Sequence, residues 1–135
     1  CKQLLYIWQL KSDDQCHICN QLENYEHFFI TCQYFQTFWK KVKLLLDKIK
    51  METHIISFKN LILGYKIYDK NYYDINLFLT VLMFSIHKST YASEYKQKNV
   101  DVYRIFKLEF QQYFDSMKTL DKKTSRFLCD VYKNI

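Results

Sequence analysis

The chain of 135 residues contains no proline and a single glycine, Gly64. Proline and glycine are the strongest breakers of regular structure, so their near absence excludes a turn-rich all-β design. It also excludes a glycine-rich phosphate-cradling loop. No apolar run approaches the roughly 20 residues that a membrane-spanning helix requires. The apolar stretch of residues 4–10 is short and interrupted by Gln9, so it does not read as a signal peptide. The chain opens at Cys1 without a methionine, which is expected of a piece of a longer polypeptide.

What is present is apolar and aromatic. Hydrophobic residues make up 49% and aromatics 19% of the chain, far from a disordered composition. The length suffices for one domain with a real core. Long runs rich in Leu, Ile, Phe and Lys, without breakers, predict helices throughout.

The densest chemistry lies in residues 16–32, CHICNQLENYEHFFITC. As ligands these read Cys16-x2-Cys19-x7-His27-x4-Cys32. Zinc in structural sites takes four tetrahedral N/S ligands, and short spacings of this kind supply them. Two residues between Cys16 and Cys19 let a tight turn aim both sulfurs at one point. Asn24 can cap the following helix and place His27 in its first turn. Cys32 lies five positions beyond His27, more than one α-turn, so the helix is expected to loosen or end between them. The rival readings are a disulfide pair and buried, inert cysteines. His17 is a rival to His27, but sits inside the knuckle turn. Cys1 and Cys129 are left over. Metal-type spacing with spare thiols suits a reducing intracellular compartment.

Apolar periodicity gives the rest. Residues 1–11 read as a short helix with Trp8 as a core anchor. Residues 33–50 carry a continuous stripe of Phe35, Phe38, Trp39, Val42, Leu45, Leu46 and Ile49. Ser57 caps a short helix over 58–63, stopped by Gly64 where positive φ is needed. Residues 74–95 form a second long helix, apolar almost all round from Leu77 to Ile86 and so the most buried. Its His87 reads as a surface or partly buried histidine. Residues 100–120 align Tyr103, Phe106, Phe110, Tyr113, Phe114 and Met117. Asp121 is expected to cap a last helix through Val131. The fold class is therefore all-α: an irregular helical bundle with one N-terminal CCHC zinc knuckle. Residues 1–50 form the knuckle segment and first long helix, and residues 51–135 a helical extension of the same domain.

Charge is uneven. Residues 1–32 hold two lysines and four acids, net −2, while the remainder holds 18 basic and 10 acidic groups, net +8. A basic helical body is the footprint of a nucleic-acid partner. The plainer alternative is a solvated lysine-rich surface. Candidate contacts are Lys40, Lys41 and Lys43 on the first long helix, Lys66 and Lys70 after Gly64, Arg104 and Lys107, and Lys122, Lys123 and Arg126. The last three oppose the dipole of a helix N-terminus, which makes more sense beside a bound anion.

The run from Cys16 through Val42 resembles the cysteine/histidine-rich segment near the C-terminus of LINE-type (non-LTR) retrotransposon reverse transcriptase polyproteins. The likeness rests on Cys16, Cys19, His27 and Cys32, on Glu26 before the histidine, and on Phe38, Trp39 and Val42. Its specific part spans residues 4–50. The resemblance implies a non-catalytic module that follows the polymerase domain of an RNA-directed DNA polymerase and endonuclease polyprotein. It implies binding of the element's RNA, or of RNA and target DNA together, in support of target-primed reverse transcription in nucleus and cytoplasm. The spacing between Cys19 and His27 is longer than in retroviral nucleocapsid knuckles. The alternative is a protein-docking module that packs on the polymerase domain without touching nucleic acid. A zinc enzyme fits poorly: a catalytic zinc keeps a position open for water, and four protein ligands leave none. Glu26 also precedes His27, against the His-x-Glu order of zinc deaminases.

Overall fold

The computed structural model describes residues 2–66, 72–96, 100–119 and 125–135. Among these residues six α-helices follow one another: α1 (Lys2–Ile7), α2 (Gln36–Lys48), α3 (Phe58–Leu63), α4 (Tyr72–Lys96), α5 (Val102–Thr119) and α6 (Arg126–Asn134). A π-turn at His27–Thr31 and 3₁₀ turns at Gln33–Phe35 and Thr53–Ile55 lie between them. Among the described residues there is no strand, only an isolated antiparallel bridge between Gln15 and Leu22. The all-α expectation holds. No described helix is long and apolar enough to cross a membrane.

The 25-residue α4 and the 18-residue α5 form the frame. At 1.5 Å per residue α4 is about 37 Å long, and a short connection cannot run back along it. The two helices therefore make an antiparallel hairpin. Helices α2 and α6 pack on it and on one another, and α3 packs on α4. The stripe on α2 goes inward as its period requires: Phe35, Phe38, Trp39, Val42, Leu45 and Leu46 are all buried. On α4 the buried face is Ile75, Phe78, Leu79, Leu82 and Ile86. Ser85, Ser89 and Thr90 are buried there too, and each hydroxyl donates to a carbonyl of its own helix. That satisfies them without a partner helix.

Several expectations need correction. The first helix ends at Ile7, not Lys11, and Trp8 lies outside the core at 63% exposure. Leu10 in the following turn is exposed too, at 67%, so this short apolar pattern had no fixed inner face. Helix α4 carries the most buried residues of the described helices, as expected, but Phe84 on its apolar stretch is 52% exposed. Tyr113 is exposed rather than aligned with the core face of α5. The last helix starts at Arg126 and is capped by Ser125, whose hydroxyl accepts from the Leu128 amide. Asp121, Lys122 and Lys123 lie outside the described residues.

Gly64 ends α3 at φ +80°, a region that non-glycine residues enter at a cost of about 1–3 kcal/mol. Asn76 of α4 clamps the next residue, accepting from the Tyr65 amide and donating to the Tyr65 carbonyl. A Cβ at Gly64 would stand 3.2 Å from Asn76 Oδ1. Gly64→Ala should therefore lower stability by about 1–3 kcal/mol. A urea midpoint that falls while the slope stays constant is the expected signature.

Candidate metal centre

The knuckle is a small hairpin. The Cys16 amide donates to the Gln21 carbonyl, the Asn20 amide to the Cys16 carbonyl and the Glu23 amide to the Asp14 carbonyl, each at 2.8 Å. The chain reverses at Asn20, φ +57°, a left-handed conformation that asparagine tolerates. This turn holds Cys16 and Cys19 on one side. Asn24 then does what its position suggests: its Oδ1 accepts from the His27 amide at 2.7 Å.

The offset between His27 and Cys32 is solved by the backbone. The Cys32 amide donates to the His27 carbonyl at 3.0 Å, the five-residue hydrogen bond of a π-turn. In an α-helix, residues four apart share a face; in this wider turn, residues five apart do. The imidazole of His27 and the thiol of Cys32 are thereby brought to the same spot.

One donor atom from each of Cys16, Cys19, His27 and Cys32 lies within 4.8 Å of the other three, so the four could hold a metal ion. Cys16 and Cys32 Sγ are 3.9 Å apart, and Cys19 Sγ is 3.3 Å from His27 Nε2. Cys16, His27 and Cys32 are buried and Cys19 is half-buried. The cysteines of the cluster are free thiols, so the disulfide reading is not the one adopted. The hydrogen bond between the Cys16 and Cys32 sulfurs draws the Cys16 thiol far below its ordinary pKa. The same contact pushes Cys32 above it. Metals take cysteine as the thiolate.

His17 is exposed, as its place in the turn implied, yet it makes a second group with Cys16 and Glu23 inside the same 4.8 Å limit. Glu23 is the residue the sequence reading missed. It is buried, burial raises its pKa, and its Oε1 accepts from the Lys2 amide at 2.9 Å. It thereby fastens α1 to the knuckle. An acid inside a Cys-x2-Cys hairpin was the available signal. Cys129 sits half-buried on α6, apart from the cluster; Cys1 lies outside the described residues.

The cluster is fixed to the helical body through Phe29 and Trp39. Buried Trp39 donates Nε1–H to the Phe29 carbonyl at 2.8 Å. Phe28 packs edge-on against Phe29 and lies 6.2 Å from the His87 ring on α4. Trp39 is thus a core anchor, and His87 is exposed.

No family model, curated protein or solved structure matches the chain.

Among the described residues the basic candidates are spread over α2, α5, α6 and the segment after Gly64. Lys40, Lys41 and Lys43 are exposed on α2, Arg104 is exposed and Lys107 half-buried on α5, and Lys66 is exposed after Gly64. Lys41 is already engaged: its Nζ is 3.7 Å from Asp101 Oδ2 and 5.3 Å from the centre of the Tyr103 ring. Arg126 is almost fully exposed at the first position of α6, with Nε 3.7 Å from Asp130 Oδ2. Lys70, Lys122 and Lys123 lie outside the described residues.

Proposed function

We propose that the chain is a non-catalytic, zinc-stapled helical module that binds nucleic acid, RNA foremost. The observation that carries this reading is the convergence of Cys16, Cys19, His27 and Cys32. These four are among the residues on which the resemblance to the LINE-type C-terminal segment rests. With Zn–S bonds of about 2.3 Å, a tetrahedral centre sets its sulfurs about 3.8 Å apart, and a sulfur and an imidazole nitrogen about 3.6 Å apart. The 3.9 Å and 3.3 Å separations here suit that ion. A set of three thiols and one imidazole is also a zinc set by chemistry.

The ion's part is structural. It crosslinks the knuckle hairpin to the π-turn, and through Phe29 and Trp39 to α2. All four tetrahedral positions are taken by protein, leaving none for a reacting water. Exposed cations on the helices then neutralise phosphates and release counterions. Support of target-primed reverse transcription, with contact to target DNA as well as RNA, is the role the resemblance assigns.

The test is a metal analysis of the purified chain followed by a fluorescence titration with a labelled single-stranded RNA at two salt concentrations. One equivalent of zinc is expected. For about four phosphate contacts, affinity should fall about 50-fold between 50 and 200 mM salt. Docking onto a protein such as the polymerase domain is the second reading. It is favoured by the exposed run of Tyr6, Ile7, Trp8 and Leu10, each 48–67% exposed, an apolar patch of the kind that marks interaction sites. Absence of RNA binding at low salt would decide for docking.

A further inference from the structure

At the end of α2 remote from the metal cluster, two contiguous shallow clefts of about 390 and 250 Å³ run between α2 and α6. Both are walled by Ile49, Lys50, Arg126 and Asp130, with Lys48 added to one and Phe127 to the other. Three cations therefore face one acid across this space. The backbone fixes them there. The last turn of α2 closes through the Met51 amide on the Leu46 carbonyl and the Lys50 amide on the Asp47 carbonyl. Lys50 itself takes φ +56°, the left-handed turn that ends the helix. Lys48 occupies the last turn of α2, where carbonyls favour a cation.

Arg126 is the discordant member. It stands at the first position of α6, where the helix dipole disfavours a positive charge. Asp130 compensates it one turn on. No ion pair among the described residues engages Lys48 or Lys50. Like charges are thus gathered from positions 48, 50 and 126 without enough acid to offset them. A polyanion in the cleft would remove that repulsion. Two adjoining clefts suit a run of phosphates better than a single compact ion, and Asp130 is the single acid in their walls.

We propose that this cleft seats the sugar–phosphate backbone of a single RNA strand, with Lys48, Lys50 and Arg126 as its phosphate contacts. The inference rests on the nucleic-acid reading above and assigns it a place. It also separates the two roles of the chain. The metal cluster meets α2 near Phe35 and the cleft meets it beyond Lys48, about 20 Å apart along a helix. The ion then holds the scaffold and does not touch the strand.

The test compares Lys48→Ala/Lys50→Ala/Arg126→Ala with a control of equal charge change at exposed lysines outside every candidate contact, Lys11→Ala/Lys59→Ala/Lys88→Ala. The probe is a fluorescein-labelled 20-nucleotide single-stranded RNA, read by anisotropy over a salt series, with zinc content measured in parallel. The cleft variant should lose about 30-fold or more in affinity at low salt, and its log–log salt slope should flatten by about 2, three phosphates at about 0.7 each. The control should lose less than about 3-fold, and both should keep their metal. Asp130→Asn, which removes the acid from the walls, should tighten binding. Equal losses in the two triple variants, or no gain in Asp130→Asn, would overturn the cleft while leaving RNA binding in place. A wild-type chain that ignores the RNA at low salt would overturn the nucleic-acid reading itself, and the cleft with it.

Discussion

Cys32→Ser is expected to abolish high-affinity metal binding and to unfold the N-terminal part of the chain while much of the α4–α5 hairpin remains helical. Cys32 is 1% exposed, and its sulfur must both ligate and fill its site. A serine oxygen is a poor zinc ligand, and buried there it would lack a strong partner. The N-terminal segment has little else to hold it: α1 contains no buried residue, and the knuckle buries only Cys16 and Glu23 before the π-turn. In small zinc domains the ion contributes on the order of 10 kcal/mol, because the unfolded chain has no preformed site. Loss of one ligand should forfeit most of that locally. Circular dichroism during heating, with and without a chelator, checks it. The wild-type chain should lose its first transition when chelator is added, and Cys32→Ser should be blind to the chelator. Cys129→Ser, outside the cluster, should keep the ion. The ligands bind as thiolate and neutral imidazole, so protons compete, and metal should leave as the pH falls. Retention of one equivalent of metal and a wild-type melting curve by Cys32→Ser would dismiss the structural-zinc account.

The contrast between what could and could not be read in the chain follows the range of the interactions. The convergence of Cys16, Cys19, His27 and Cys32 was legible because the knuckle turn, the Asn24 cap and the five-residue offset to Cys32 are all local. Even so, the π-turn that closes that offset was visible only as a misfit to the α-helical repeat. The stripe on α2 was legible because seven apolar positions keep one period, and Gly64 because a helix end needs its positive φ. Trp8 was not legible: over six helical residues every face carries something apolar, and only a packing partner decides which one goes in. The start of α6 failed for a related reason. Asp121 and Ser125 are both good N-caps, and the choice falls to Phe127, Leu128 and Val131, which must reach the core together. The grouping of Lys48, Lys50 and Arg126 had no signal at all, since it joins segments more than seventy positions apart through the packing of α6 on α2.

Phe78→Ala should be the most damaging change in the helical body, and it should act without disturbing the metal. Phe78 is fully buried on α4, and its ring meets Phe106 and Phe110 of α5 at 5.8 and 6.3 Å and Phe127 of α6 at 5.7 Å. All three contacts are nearly perpendicular, the edge-to-face arrangement that adds to simple burial. Truncation to alanine leaves a cavity between three helices that a rigid hairpin cannot collapse into, at a cost of about 3–5 kcal/mol. Domains of this size are stable by about 5–15 kcal/mol in total, so the variant should be marginal. Phe78→Leu keeps most of the volume and should be much milder. Urea denaturation paired with zinc analysis separates the outcomes: Phe78→Ala should show an early unfolding midpoint with one equivalent of metal still bound before the transition. The reason is geometric. Phe38 joins α2 to this aromatic cluster through Phe106 at 6.4 Å, whereas the cysteine–histidine cluster reaches α2 through the Phe29 carbonyl and Trp39. The two supports meet α2 through different side chains, so each should be removable with the other left in place. Should Phe78→Ala unfold within about 1 kcal/mol of wild type, or shed its zinc as readily as Cys32→Ser does, that division of the molecule would be wrong.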